Sequence, residues 1–344
     1  MPKLSRRTML AASGGVAAIS AAPAAAQPTA PPNLKGKSFL VTGTSSGFGR
    51  LGALLYARSG ARVFATMRNL PRPEADELRR IAREEKLDLH VLPLDVRSDE
   101  QVARAVAEAE RINGGPLDVL VNNAGVVIGG PVEVHDMEAV QLAFDTNVYG
   151  PHRLARAVLP AMRARKSGVI VNVSSQQGRV INPGSGVYSG TKFALEALSE
   201  QMAYELAPHG IEVVIIEPGG FPTNVGANRA RYQRELAQRV PAKHAEGYPE
   251  MMAGLNRALP SGPRPNTPAR PLSPEAVAYL AADPIMVPQA IAEIAAMPAG
   301  SRPLRRAVHP GNKPQLEINR VASETQLRML GSGPYAPWAK AVLD

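Results

Sequence analysis

A doubly wound parallel α/β sheet of about seven strands, with helices on both faces, is the fold class this chain of 344 residues predicts. Two observations predict it. Short, nearly continuous apolar runs rich in β-branched residues alternate with helical patterns along most of the chain, as strands buried on both faces do. The alternation runs as one series, with no internal repeat at solenoid period, so one sheet collects the strands.

In chain order, residues 1–26 read as an export leader. Lys3, Arg6 and Arg7 are its only charges, an apolar Ala-rich run starts at Thr8, and Ala24-Ala25-Ala26 supplies a cleavage site with a mature start near Gln27. The paired arginines of "SRRTML" resemble the twin-arginine signal of bacteria, so the expected partner is that export machinery and the expected location the periplasm, with the cytoplasm as the alternative. Gly14, Gly15 and Pro23 interrupt the run, so no stable membrane span is expected. Residues 27–35, containing "QPTAPPN", form a Pro/Ala-rich linker, and residues 36–344 read as one domain.

The first strand, "SFLVT", runs into "VTGTSSGFG". Gly43, Gly47 and Gly49 permit a tight turn that lets backbone N–H groups close on a pyrophosphate at the positive end of the next helix, and Ser45, Ser46 and Phe48 complete this cofactor loop. The second strand, "ARVFAT", ends at Met67 and Arg68. A carboxylate there would bond a ribose 2′-hydroxyl, whereas neutral Met67 followed by a guanidinium favours a 2′-phosphate and hence NADP(H). The third, "LHVLPLD", ends at Asp95 beside Val96, and Asp95 is placed either to meet the adenine or to cap the next turn. The fourth, "LDVLVN", leads to Asn123, Ala124 and Gly125.

The fifth strand, "GVIVNVS", delivers Ser174 and Ser175, one of which is placed to bond a substrate oxygen. Beyond it "YSGTK" sets Tyr188 and Lys192 four residues apart on one helix face. A free phenol titrates near pH ~10, too high for a ready base. A neighbouring ammonium and an oxidised nicotinamide both stabilise phenolate, so Tyr188 can exchange a proton with an alcohol or carbonyl oxygen while hydride moves. The sixth strand, "IEVVIIEP", ends at Pro218 and Gly219. Residues 225–275, helical in "RARYQRELAQRV" and loop-like in "PSGPRPNTPARPLSP", read as an excursion beside the cleft before the last strand, "LRRAV".

Composition narrows the function classes. The formal charge of +9 falls to +6 without the three cations of the leader, the basic residues are scattered among acids, and aromatics make up 4% of the chain, which argues against nucleic-acid binding. The chain has no cysteine, and its six histidines show no metal-ligand spacing, so neither a disulfide framework nor a metal site is expected.

"TGTSSGFG", "NNAG" at 122–125, the asparagine of "DTNVYG", the serines at 174 and 175, "YSGTK", and "PGGFPT" at 218–223 occur in an order and spacing that resemble the short-chain dehydrogenase/reductase family over residues 36–224. The resemblance implies a Rossmann-like sheet and an oxidoreductase moving hydride between NADP(H) and an alcohol or carbonyl substrate. By the family pattern the serine thirteen positions before the tyrosine, Ser175, orients the substrate oxygen and Tyr188 is the acid/base. Lys192 lowers the tyrosine pKa and holds the nicotinamide ribose, and Asn147 holds a water linking Lys192 to solvent. Asn123 and Gly125 lie beside the adenosine ribose, and Thr223 meets the carboxamide. The strand end "ATMR" is similar to NADP-preferring hydroxysteroid and retinol dehydrogenases, and a homo-oligomer is common in the family. The alternatives on the same fold are a cofactor-binding sensor or scaffold without turnover, and an epimerase or dehydratase using resident nucleotide.

Overall fold

The computed structural model describes residues 32–257 and 274–343; the leader at 1–26 and residues 260–273 of "PSGPRPNTPARPLSP" lie outside them. Its strands are β1 (Ser38–Thr42), β2 (Arg62–Met67), β3 (Leu89–Pro93), β4 (Val119–Asn122), β5 (Gly168–Val173), β6 (Ile211–Pro218) and β7 (Arg305–Val308). They form one parallel sheet in the order β3-β2-β1-β4-β5-β6-β7. The expected doubly wound sheet of seven strands is therefore present. The third strand stops at Pro93 because Asp95 turns away, its carboxylate accepting from the Arg97 backbone N–H at 3.0 Å.

The helices are α1 (Gly47–Arg58), α2 (Pro73–Glu84), α3 (Asp99–Asn113), α4 (Met137–Phe144), α5 (Gly150–Arg165), α6 (Gly186–Leu206), α7 (Val225–Arg239), α8 (Ala242–Ala245), α9 (Pro249–Arg257), α10 (Pro274–Ala281), α11 (Met286–Ala296), α12 (Gln315–Leu330) and α13 (Ala336–Leu343). Local chemistry sets several of their ends. Ser98 caps α3 by accepting from the Gln101 N–H, and Gly114 closes it in the left-handed region at φ 77°. Asp136 caps α4 through the Ala139 N–H. A wide turn at Asp145–Tyr149 joins α4 to α5 and presents Asn147 inward.

Side chains alternate across the sheet and build a core on each face. Phe39, Val41, Val119, Val121, Val171 and Ile216 pack against α1, α2 and α11, while Leu40, Leu120, Ile170, Val213 and Ile215 pack against α3, α5 and α6. Each such side chain, once buried, contributes about 1.5–3 kcal/mol. A third apolar cluster joins Val126, Ile128 and Val134 to Tyr232 and Leu236 of α7, so the excursion is seated beside the carboxyl end of β4. Chain direction across the sheet reverses between β1 and β4, and the crevice at that switch point is where ligands bind in open α/β sheets. Among the described residues no helix is long and apolar enough to cross a membrane.

Candidate active site

A cavity of about 900 Å³ opens at the switch point. Its walls include Gly43, Ser45, Ser46, Gly47 and Phe48 after β1, Met67 and Arg68 at the end of β2, Asp95 and Val96 after β3, and Asn123, Ala124 and Gly125 after β4. Ser175, Tyr188, Lys192, Pro218, Gly219 and Thr223 complete the opposite side. Seventeen of the nineteen residues expected at the site thus share one cavity.

The other two stand directly behind it. A side chain at Gly49 would collide with the Gly43 carbonyl oxygen and, at 2.5 Å, with the Asn123 amide, so this glycine lets α1 press against the loop. Asn147 is 1% exposed; its Oδ1 accepts from the Val126 N–H at 2.8 Å and its Nδ2 donates to the Val126 carbonyl at 2.9 Å and the Thr191 hydroxyl at 3.0 Å. Its contacts pin the chain beyond Gly125 to the helix that carries Lys192.

The glycine loop fits a dinucleotide. Gly43 adopts φ +72°, and a Cβ on it would lie 2.9 Å from the Ala124 backbone, which only a glycine tolerates. Ser46 precedes α1 without a side-chain cap, leaving the first N–H groups of that helix to an anion. At the far end, Arg68 donates to the Tyr232 hydroxyl at 3.3 Å and forms no ion pair among the described residues. Asp95 is engaged by Arg97 at 2.9 Å.

On the other wall, α6 places Tyr188 one turn before Lys192. The Lys192 Nζ donates to the Val173 carbonyl at 2.8 Å and lies 5.7 Å from the centre of the Tyr188 ring. The Ser175 hydroxyl is beside Tyr188, whereas that of Ser174 is beside the buried carboxylate of Glu196. The two adjacent serines therefore face different partners. Ser175 also accepts from the Gln177 N–H at 3.1 Å, which fixes the turn after β5.

Burial dominates the electrostatics of this pair. Burial pushes the Tyr188 hydroxyl above its ordinary value, opposed only in part by the hydrogen bond with Ser175. Burial also lowers Lys192 to about 8, with the charge of Glu196 working against that drop. The ammonium lies over the ring face, and burial is the larger influence on the phenol.

Residues of α7 were not named from the sequence, although Arg229, Tyr232 and Gln233 line the cavity. The signal available was the spacing of "RARYQ", which sets Arg229 and Gln233 on one helix face. It was silent about which face turns inward, because that depends on Tyr232 and Leu236 packing against Val126 and Ile128.

Comparison with known proteins adds to this geometry. A family model described as short chain dehydrogenase matches residues 37–234. The chain is 43% identical over 195 residues to retinol dehydrogenase 8 of Bos taurus, a match covering 54% of this chain and 60% of that one. The matched region spans 60% to 66% of the length of the first curated relatives. Among solved structures, a short-chain dehydrogenase from Streptomyces avermitilis superposes with a TM-score of 0.61 at 31% identity, over 85% of this chain and 96% of that one. A gluconate 5-dehydrogenase from Burkholderia cenocepacia in complex with NADP and tartrate gives 0.53 at 30% identity, over 60% and 82%.

Proposed function

We propose that this chain, which belongs to the short chain dehydrogenase family, moves a hydride between NADP(H) and an alcohol or carbonyl carbon, with Tyr188 exchanging the proton at the substrate oxygen. The observation that carries this reading is the meeting of Ser175, Tyr188 and Lys192 in the same cavity as a glycine loop built for a dinucleotide. When bound, the dinucleotide supplies the hydride and, in its oxidised form, a positively charged ring.

The protein's own groups do the rest. Ser175 donates to the substrate oxygen and orients it toward the Tyr188 hydroxyl. Tyr188, held protonated by burial, is a ready proton donor for carbonyl reduction. In the oxidative direction, phenolate forms only where Lys192 and a second positive charge act together. Lys192 holds the nicotinamide ribose, and Asn147 braces the segment beside it. Arg68 selects the 2′-phosphate: a guanidinium with only a neutral hydroxyl as partner, beside neutral Met67, favours a phosphate over a free ribose hydroxyl. The solved relative that contains NADP supports the same choice.

The leader supports delivery to the periplasm by the twin-arginine route. That route is understood to carry proteins already folded, so the nucleotide would be loaded in the cytoplasm and exported within the protein.

The reading is tested by Tyr188→Phe. Turnover with NADPH should fall by about 1,000-fold or more, since general acid catalysis alone contributes about 10²–10⁴-fold, while NADPH affinity stays within about threefold. A variant that retains wild-type turnover would refute the role of Tyr188.

A further inference from the structure

We infer that the substrate carries a carboxylate, held by Arg229 and Gln233 of α7, so that the natural reactants are an oxo acid and the corresponding hydroxy acid. The inference rests on the oxidoreductase reading above and adds the substrate class to it.

Arg229 stands apart from the other arginines of its helix. Arg231 pairs with Glu235 at 3.1 Å, Arg239 pairs with Asp136 at 2.9 Å, and Arg234 is exposed to solvent. Arg229 is half-buried on the cavity wall, with no ion pair or hydrogen bond among the described residues. Desolvation lowers its pKa, and no neighbouring charge opposes that shift. A guanidinium taken out of water without an anion is unfavourable, so such a group marks the place where an anion binds.

Its geometry is convergent. A Cβ built on Gly129 would lie 2.5 Å from Arg229 Nη2, 2.6 Å from Arg229 Nε and 2.7 Å from Gln233 Nε2. The bare glycine therefore lets the guanidinium edge and the Gln233 amide nitrogen pack side by side against its backbone, which brings these donors together on the cavity wall. Nε and Nη2 are the edge of the guanidinium that grips a carboxylate with two parallel hydrogen bonds. Of the Gln233 amide it is Nε2, beside the guanidinium edge, that can donate to a carboxylate oxygen.

The same region is tied to the reacting end of the cavity. The Gly130 N–H donates to the Gly184 carbonyl at 2.8 Å, and Gly130 pairs with Ser185 just before the helix that carries Tyr188. The phosphate cradle lies elsewhere, at the amino end of α1. In the reduction, the carbonyl carbon of the oxo acid takes a hydride from the reduced dinucleotide and its oxygen takes the Tyr188 proton. The products are the hydroxy acid, the oxidised dinucleotide and a Tyr188 phenolate that regains its proton from water; the carboxylate stays ionised and bound throughout.

The test uses levulinate and its homologues with one to three more methylenes, each paired with its methyl ester, as substrates of the NADPH-loaded protein. Binding of hexanoate to the same loaded protein is followed by calorimetry. At least one acid should exceed its ester in kcat/KM by on the order of 100-fold, and hexanoate should bind. R229M should bring the acid-to-ester ratio down to about one, mostly through KM, and weaken hexanoate; R229K should restore part of both. Esters turned over as well as acids, a ratio unmoved by R229M, or a loss of NADPH affinity as large as the loss of acid turnover would overturn the carboxylate site and leave the oxidoreductase reading standing. Absence of turnover with every acid and ester would overturn that reading, and absence of hexanoate binding would independently overturn this one.

Discussion

Lys192 sets the pH behaviour expected of this site. Its ammonium is depressed to about 8 by burial, so the nucleotide-free protein loses that charge at a pH where a solvated lysine keeps it. NADPH affinity and kcat/KM for carbonyl reduction, which report on the free enzyme, should be level below about pH 8 and fall above it. Because the Glu196 charge opposes the depression, Glu196→Gln should move that limb to lower pH, and a limb that moves upward would contradict the assignment. The linked stability runs the other way. A folded value of about 8 below an unfolded value of 10.5 means that the native state has given up a proton there which the unfolded chain keeps, so the penalty is full below 8 and is relieved as pH rises toward 10.5. Arg68 makes the second prediction at this scale. Arg68→Ala should weaken NADP(H) by about 10- to 100-fold, the size of a charge-assisted hydrogen-bonded pair, and NAD(H) by no more than about threefold, as read by direct titration.

At the scale of elements, the question is what holds the α6 register against the sheet, because a small slide of that helix would carry Tyr188 away from Ser175. A buried polar chain does so: Asn122 of β4 donates to Asn172 of β5 at 2.8 Å, Asn172 donates to Ser199 of α6 at 2.7 Å, and the Ser199 hydroxyl donates to the Leu195 carbonyl at 2.6 Å. Asn172→Ala would leave the amide of Asn122 without its acceptor and Ser199 without its donor. A cost of about 2–4 kcal/mol in urea unfolding is expected, with turnover reduced at unchanged substrate pairing, whereas an unaltered midpoint would show that the chain is dispensable. None of these links was legible in the sequence, since they join residues 50 and 27 positions apart and exist only once β4, β5 and α6 are in register. The features that were legible are local. The glycine loop declares itself by spacing on a strand-to-helix turn, and Tyr188 and Lys192 by a four-residue step on one helix. What that four-residue step does not encode is the burial by distant segments that raises the Tyr188 pKa.

For the molecule as a whole, the dinucleotide cavity is walled by segments from β1 through α7, so a bound nucleotide joins parts of the chain that otherwise meet only through the sheet and the cluster under Tyr232. A ligand that binds the folded state alone stabilises it by about 2.7 kcal/mol at one hundred times its dissociation constant. This coupling bears on export. On the proposed twin-arginine route, a protein that folds around the nucleotide before translocation would bring its own supply to the periplasm. A long-lived complex then requires the cavity to stay closed, and α7, seated by Tyr232 and Leu236, is the segment placed to close it. Protein recovered from the periplasm should therefore contain close to one NADP(H) per chain, should lose several degrees of Tm when stripped, and should regain them on addition of NADPH but much less with NADH. Tyr232→Ala, which removes the aromatic seat of α7 together with the hydroxyl that meets Arg68, should speed nucleotide release and lower the amount recovered after export. Periplasmic protein that arrives folded and free of nucleotide would mean that the cofactor is acquired after translocation, and would remove the reason for joining this leader to this cavity.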